Sequence, residues 1–169
     1  MEYRELVGKL TESLEKQKAY YEAINELSGQ KTEVVLNRDI QSLNKIVEAE
    51  EVLLVKIGQE EQKRMEIASS LAKSLGMSEE DITISGLVRE LKDRNEDTTT
   101  IEEVSEGLVD VIEKQKVYNK TNMRLIENNL NYIKEVIQKV VIGDGSENIY
   151  NPKGQRTITQ KTNIIDESV

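Results

Sequence analysis

The sequence predicts an all-α protein, an elongated antiparallel helical bundle or coiled coil made of a few long helices. Apolar residues recur at every third or fourth position over long stretches, which is the spacing of an amphipathic helix. Pro occurs once in 169 residues, so helix breakers are scarce. Charged residues make up 33% and hydrophobic residues 37%, a balance that suits solvated helices better than a thick globular core.

The first predicted element is an N-terminal αα-hairpin over residues 1–76. Its first helix covers Glu2–Leu36, and its second covers Ile40–Leu75. Asp39 is the candidate N-cap of the second helix, because a short acidic side chain accepts hydrogen bonds from the first turn. Gly76 is the candidate C-terminal stop, since glycine adopts the left-handed conformation cheaply. A connection this short makes the two helices antiparallel.

The segment 77–99 carries shorter and less regular signals. Ser78 precedes an acidic run and resembles a helix cap, and Ser85 is the candidate cap of a second short helix. A polar linker from Asn95 follows, and Thr99 or Thr100 is the candidate cap of the next helix. We therefore expect one or two short helices and a linker in this segment.

The longest predicted helix covers residues 100–142, roughly 60 Å at 1.5 Å per residue. Its apolar stripe widens in its second half, where Leu125 adjoins Ile126 and Tyr132 adjoins Ile133. Adjacent positions lie about 100° apart around a helix. One residue of each pair is therefore expected to face the bundle and the other a partner. Ordinary bundle core is the alternative for four of these residues: Ile126, Leu130, Ile133 and Ile137.

Asn122 and Asn129 lie seven residues apart, on one face of the long helix. They can hydrogen-bond a partner, or they can fix the register of a coiled coil. Both uses stay open. After residue 142 the sequence becomes polar and loses its period, so residues 143–169 are expected to form a flexible tail and residues 1–142 a helical domain.

Polar residues interrupt the predicted apolar seam and are candidate register devices. They are Gln17, Lys31, Glu60 and Gln115. Ion pairs one turn apart are expected between Lys56 and Glu60, or between Glu60 and Arg64. The run Glu48-Ala49-Glu50-Glu51 is expected to be a solvated helix face, because too few apolar residues surround it to bury a carboxylate.

The composition argues against catalysis and against cofactor or metal binding. The chain has no His and no Cys, so His-based and Cys-based nucleophile systems and disulfides are excluded. The carboxylate metal sites of helical bundles draw on Glu-x-x-His pairs, which this chain cannot supply. We expect a protein that is not an enzyme and has no cofactor.

Charge and hydropathy argue against two classes of partner. A net charge of −9 disfavours nucleic acid, whose phosphates attract basic proteins. No run of about 18 apolar residues is present, and the first residues do not resemble a secretory signal. We expect no membrane insertion and a protein that stays in the compartment where it is made.

Several features together resemble one known family. The first is the stretch from Leu36 to Arg64, in which Leu43 follows Asp39 by one turn and Glu60-Glu61 leads to Arg64. The second is an Asn-rich C-terminal helix, with Asn119, Asn122, Asn128, Asn129 and Asn131. The third is the closing element Tyr150-Asn151-Pro152-Lys153-Gly154. In order and length they resemble the FlgN family over about residues 1–154. Pro152 and the residues after Gly154 depart from the family pattern.

The resemblance implies a cytoplasmic export chaperone without enzymatic activity. Such chaperones bind the amphipathic C-terminal segment of flagellar hook-associated (hook–filament junction) proteins, block their premature assembly and deliver them to the type III export apparatus and its gate. The family's C-terminal half is linked to cargo. Mapped onto this chain, the candidate partner-binding residues are Val117, Tyr118, Asn122, Leu125, Ile126, Asn129, Leu130, Tyr132, Ile133 and Ile137.

Two other functions fit the same pattern. One is a structural coiled-coil or homo-oligomerisation module without cargo, in which the polar interruptions set the register. The other is an export chaperone for a different substrate. A defined complex with a cargo segment would separate the chaperones from the structural module.

Overall fold

Four helices make up most of the computed structural model, which describes residues 2–78, 82–141, 149–150 and 156–157. The helices are α1 (Glu2–Leu36), α2 (Ile40–Leu75), α3 (Ile84–Asp93) and α4 (Thr99–Val141). The all-α prediction is confirmed. The two helices of the hairpin begin and end at the predicted residues, and the described part of segment 77–99 holds one short helix, α3.

The turn between α1 and α2 is built as the sequence predicts. The Asp39 carboxylate accepts a hydrogen bond from the Ser42 backbone N–H at 3.0 Å, and Arg38 takes a positive φ of 57°. At the other end of α2, Gly76 has a φ of 73°, and its N–H donates to the Lys73 carbonyl. Both caps satisfy backbone groups that the helix leaves without partners.

Gly58 inside α2 and Gly76 at its C-terminal end are expected to respond in opposite ways to the same substitution. Gly76→Ala should lower the free energy of unfolding by about 1 kcal/mol, because an L-residue is strained at a φ of 73°. Gly58→Ala should raise it by up to about 1 kcal/mol, because no atom lies within 4 Å of the added Cβ. Urea denaturation of both variants checks this, and equal shifts would contradict it.

The starts of α3 and α4 differ from the prediction. Thr83, not Ser85, caps α3: its extended backbone lets the hydroxyl accept from the Gly86 N–H at 3.0 Å, whereas Ser85 lies inside the helix. The Glu102 N–H donates to the Thr98 carbonyl, so Thr98, and not Thr99 or Thr100, is the residue that precedes the first turn of α4. The acidic residues that follow Ser78 lie outside the described residues.

The chain divides into two compact units, residues 1–125 and 126–169. In the first unit α1 and α2 run antiparallel. The Ser13 hydroxyl donates to the Glu60 carbonyl and the Ser28 hydroxyl donates to the Glu50 carboxylate, so a later residue of α1 lies beside an earlier residue of α2. The α1–α2 pair is the most extensive helix contact of this unit. The hairpin therefore supplies the frame on which α3 and the start of α4 pack.

Within the first unit, α4 runs parallel to α1. The side-chain amide of Asn25 donates to the Val111 carbonyl at 2.9 Å, and the Thr32 hydroxyl donates to the Asn122 side-chain oxygen at 2.7 Å. This direction follows from the antiparallel hairpin, because α2 ends beside the start of α1 and α4 begins at that same end after the short α3. There the Arg94 guanidinium also caps α2 by donating to the Leu75 carbonyl at 2.7 Å.

The main apolar core of the first unit joins all four helices. Its buried members are Leu10, Leu14, Ala68, Leu71, Ala72, Leu75, Leu87, Val88, Leu91, Ile101 and Leu108. They lie at the end of the unit where α1 and α4 begin and α2 ends. Toward the hairpin turn, polar side chains such as Ser28 and Glu50 are buried together with apolar ones, among them Ile24, Val35 and Ile46.

A hydrogen-bonded carboxylate ties the first turns of α1 to the residues before α4. The Glu96 carboxylate accepts from the Tyr3 hydroxyl at 2.7 Å and from the Arg4 guanidinium at 2.8 Å. The hydrogen bond from Arg4, followed by that from Tyr3, lowers the pKa of Glu96 below its ordinary value of 4.5. The ionised form of Glu96 is therefore the one that holds this end of α1.

This lowered pKa predicts a loss of stability in acid. Because the pKa of Glu96 is lower in the folded state, its stabilisation is complete above the unfolded pKa and disappears as the pH falls through the folded pKa. The difference in Tm between the native chain and Glu96→Gln should be constant near neutral pH and shrink progressively as the pH falls below about 4.3, the ordinary pKa of an unfolded Glu. Thermal unfolding across this range checks it, and a difference that stays constant or grows as the pH is lowered would contradict it.

The second unit contains the rest of α4 and two short strands, β1 (Ile149–Tyr150) and β2 (Arg156–Thr157). The strands pair antiparallel, with Ile149 opposite Thr157. Apart from these strands, the predicted flexible tail and most of the closing Tyr-x-x-Lys-Gly element lie outside the described residues. The assignment of residues 1–142 to one domain stays a prediction. In the part of the chain that the structure describes, no helix is long and apolar enough to span a bilayer.

Candidate partner-binding surface

Two neighbouring lines of residues run along α4, each with alternating steps of three and four. The inner seam consists of residues that are all buried or half-buried: Ile101, Val104, Leu108, Val111, Gln115, Tyr118, Asn122 and Leu125. The outer stripe consists of Ile126, Leu130, Ile133, Ile137 and Val140. Alternating steps of three and four are the heptad spacing of a helix that packs lengthwise against another helix.

The outer stripe is aliphatic and largely exposed. The exposed fractions are 51% for Leu130, 48% for Ile133, 53% for Ile137 and 74% for Val140, while Ile126 is half-buried. Tyr132 and Val136, next to the stripe, are 51% and 40% exposed. Contiguous exposed apolar residues mark interaction sites more often than ordinary protein surface does. The outer stripe is therefore the candidate partner-binding surface.

The exposure of α4 separates the predicted site residues into two groups. Leu130, Ile133 and Ile137 are not the bundle core that was the alternative for them, because about half of each side chain is open to solvent. The expectation that one member of each adjacent pair faces inwards is wrong for Tyr132 and Ile133, which are both exposed. Leu125 and Ile126 are both half-buried, with Leu125 in the inner seam and Ile126 in the outer stripe.

Asn122 belongs to the inner seam and not to the exposed surface. It is only 4% exposed, and both the nitrogen and the oxygen of its side-chain amide form hydrogen bonds within the first unit. The side-chain nitrogen donates to the Ser28 carbonyl at 2.9 Å, and the side-chain oxygen accepts from the Thr32 hydroxyl at 2.7 Å. Of the two uses predicted for Asn122, the geometry favours fixing the register of α4 on α1.

The remaining predicted residues lie away from the outer stripe or at its border. Tyr118 is half-buried, and its hydroxyl lies 3.6 Å from the position that a Cβ would take if Gly29 were replaced by a larger residue. Val117 is 66% exposed, but it precedes Ile126 by nine residues and so lies on the opposite side of the helix. Asn129 is half-buried beside the stripe.

A buried polar cluster holds α1, α2 and α4 together near Asn122. The Ser28 hydroxyl donates to the Glu50 carboxylate at 3.2 Å, and the Lys31 ammonium forms an ion pair with the same carboxylate. The side-chain amide of Gln115 donates to the Ser28 hydroxyl at 3.2 Å. The prediction that Glu50 lies on a solvated face is wrong: it is 9% exposed, because α1 supplies both of its polar partners.

The predicted ion pairs within α2 are replaced by others. Glu61 pairs with Arg64, and Glu60 pairs with Lys63 at 3.3 Å, each three residues apart and not four. The Arg64 hydrogen bond lowers the pKa of Glu61, and the side-chain amide of Gln17 also donates to this carboxylate, at 2.7 Å. Lys56 instead lies with its ammonium 6.0 Å from the ring centre of Tyr20.

The described acidic side chains near the surface do not form a metal site. Among the described residues, no group of three or more acidic side chains is placed to hold a metal ion. The polar side chains form hydrogen bonds and ion pairs within and between helices, and the buried side-chain oxygen of Asn25 is left without a hydrogen-bond partner from any described residue. The feature of this region that is suited to binding is the outer stripe, whose exposed apolar side chains another helix can cover.

Comparison with known proteins identifies one family. A family model described as "FlgN protein" matches residues 1–158. The matched range contains all four helices and the whole outer stripe. Searches among curated proteins and among solved structures find no match.

Proposed function

The chain belongs to the FlgN family, a family of flagellar export chaperones, and from this premise we propose that it binds the amphipathic C-terminal segments of flagellar hook-associated proteins. The proposed binding surface is the outer stripe of α4 with Tyr132 and Val136 beside it. The proposal places the chain in the cytoplasm, where the cargo waits for export through the type III apparatus. The observation that carries it is the half-exposed aliphatic stripe from Leu130 to Val140.

The physical basis is helix-in-groove or helix-on-helix recognition, in which two apolar faces cover one another. Fully burying one aliphatic side chain is worth about 1.5–3 kcal/mol. The side chains of the outer stripe are roughly half exposed, so covering them stabilises a complex by about 1 kcal/mol each, before the cost of association. A cargo segment bound in this way hides its own apolar face and cannot use that face for assembly.

The charge of this region supports apolar rather than electrostatic recognition. The chain carries a net charge of −9, but residues 126–141 hold two acidic and two basic side chains. The acidic ones are Glu127 and Glu135, and the basic ones are Lys134 and Lys139. A locally neutral helix imposes no strong preference on the charge of its partner. Binding is therefore expected to depend weakly on salt.

Truncation of the stripe should weaken cargo binding without unfolding the chain. Leu130→Ala with Ile137→Ala is expected to reduce affinity for a purified C-terminal segment of a hook-associated protein at least tenfold, because two contact side chains are lost. The thermal stability should change little, since both side chains are half exposed. Isothermal titration and thermal melts measure the two effects.

The matched control is Leu54→Ala with Val55→Ala on α2, whose side chains are 56% and 61% exposed. This variant removes as much exposed aliphatic surface at another place and should bind cargo normally. If both double variants bind as tightly as the native chain, the outer stripe is not the cargo surface. If the native chain binds no hook-associated segment, the proposed cargo is wrong, and a different export substrate or a structural coiled-coil module is left.

A further inference from the structure

We propose that the outer stripe of α4 also pairs with the outer stripe of a second copy of this chain, as an antiparallel coiled coil that forms when no cargo is bound. The proposed occupant is a second copy, because the stripe is complementary to itself in both packing and charge. The pairing stands without the proposed cargo. Its role as a cover for the cargo surface rests on the proposed function.

The spacing of the stripe supplies the packing. Ile126, Leu130, Ile133 and Ile137 are separated by four, three and four residues and so occupy alternating core positions of a heptad. In an antiparallel pair centred between residues 131 and 132, Leu130 lies opposite Ile133 of the second copy, and Ile126 lies opposite Ile137. The two-fold axis repeats both layers, so every core layer is aliphatic.

The flanking charges supply the orientation. Glu127 follows Ile126, and Lys134 follows Ile133, so both occupy the same flanking heptad position. In an antiparallel pair these positions face each other, and the register above places Glu127 opposite Lys134 of the second copy. The two-fold axis repeats this ion pair. Within one helix the two residues lie seven apart, about 10 Å along the axis, and do not meet.

A parallel pair does not use these charges. It would place Leu130 against its own equivalent and bring Lys134 beside Asn129 of the second copy, so that Glu127 and Lys134 never face one another. Flanking charges of coiled coils set partner choice and orientation. The positions of Glu127 and Lys134 therefore favour the antiparallel pair.

Self-pairing has a direct consequence for the chaperone. It covers Ile126, Leu130, Ile133 and Ile137, which are half-buried or exposed in the single chain. The same side chains form the proposed cargo surface, so a second copy and a cargo helix exclude one another. The empty chaperone would protect its apolar stripe by this pairing and expose it when cargo competes.

Charge reversal tests the pairing on the full chain. Sedimentation equilibrium of the native chain should show a concentration-dependent dimer. Glu127→Lys and Lys134→Glu should each weaken dimerisation roughly tenfold, because each variant replaces two ion pairs with two repulsions. The double variant should restore the native dimer constant within a few fold. Glu48→Lys, an exposed charge reversal on α2, is the control and should have no effect.

The charge-reversal result is decisive in either direction. A native chain that remains monomeric, or a double variant as weak as either single one, would overturn the proposal. Because the chain has no Cys, cross-linking gives a second test. Oxidation of Leu130→Cys mixed with Ile133→Cys should link the two variants to each other. Disulfides within each variant population instead would show a parallel pair and also overturn it.

These tests are distinguishable from those of the proposed function. Loss of cargo binding with an intact dimer would contradict the proposed function and leave the self-pairing in place. A monomeric chain that binds cargo through the stripe would contradict the self-pairing and leave the proposed function in place. If both hold, adding the cargo segment should convert the dimer into a complex with one copy of the chaperone.

Discussion

Replacing Leu71 with Ala is expected to lower the free energy of unfolding by about 2–5 kcal/mol, the range measured for buried Leu truncations. Leu71 has no exposed surface and lies in the core cluster with Leu14, Leu87 and Ile101, one residue from each of the other three helices. Its removal leaves a cavity that four helices line, and close-packed interiors relax only partly around such a cavity. Urea denaturation measures the loss.

Leu54→Ala is the matched control for this prediction. Leu54 is on the same helix, but its side chain is 56% exposed. Its truncation should change the free energy of unfolding by no more than about 1 kcal/mol, because most of the removed surface already faces water. If Leu71→Ala costs no more than Leu54→Ala, the main core does not lie where the structure places it.

Removing the Glu50 carboxylate is expected to cost about 3–5 kcal/mol, the range for breaking one partner out of a buried ion pair. The side chain of Lys31 is only 15% exposed, so Glu50→Ala leaves its ammonium with little access to water. The Ser28 hydroxyl, which is fully buried, loses an acceptor at the same time. Chemical denaturation of the variant measures the cost.

Two further variants separate the charge effect from simple truncation. Glu48→Ala removes an exposed carboxylate of the same helix and should change stability by less than about 1 kcal/mol. The double variant Lys31→Met with Glu50→Leu removes both charges and should recover most of the loss, because a buried pair is often replaced by apolar residues at little cost. A double variant less stable than Glu50→Ala would contradict this explanation.

The hairpin could be predicted closely because its boundaries are set by local signals. Asp39 and Gly76 act through hydrogen bonds and backbone angles of their own neighbourhood, so the sequence around them is sufficient. Glu50 could not be assigned in the same way. Its neighbours in the sequence are charged, and its burial depends on Ser28 and Lys31 of another helix, about twenty residues away.

The candidate surface was predictable as a region but not residue by residue. The apolar widening of the long helix indicated its second half, and there the structure exposes Leu130, Ile133 and Ile137. Asn122 has the same helical spacing, yet it is buried because Ser28 and Thr32 lie beside it, about ninety residues earlier in the chain. The periodicity of one helix does not show which neighbour covers each turn.

Hydrogen–deuterium exchange with and without cargo, at a protein concentration where the cargo-free chain is monomeric, tests the central claim most directly. Backbone amides of residues 126–140 should gain protection when a C-terminal segment of a hook-associated protein is added, because a second helix covers the outer stripe of α4. Amides of α2 around Leu71 should be unchanged, since the main core is already closed. Protection that appears elsewhere in the chain while residues 126–140 exchange as before would contradict the account.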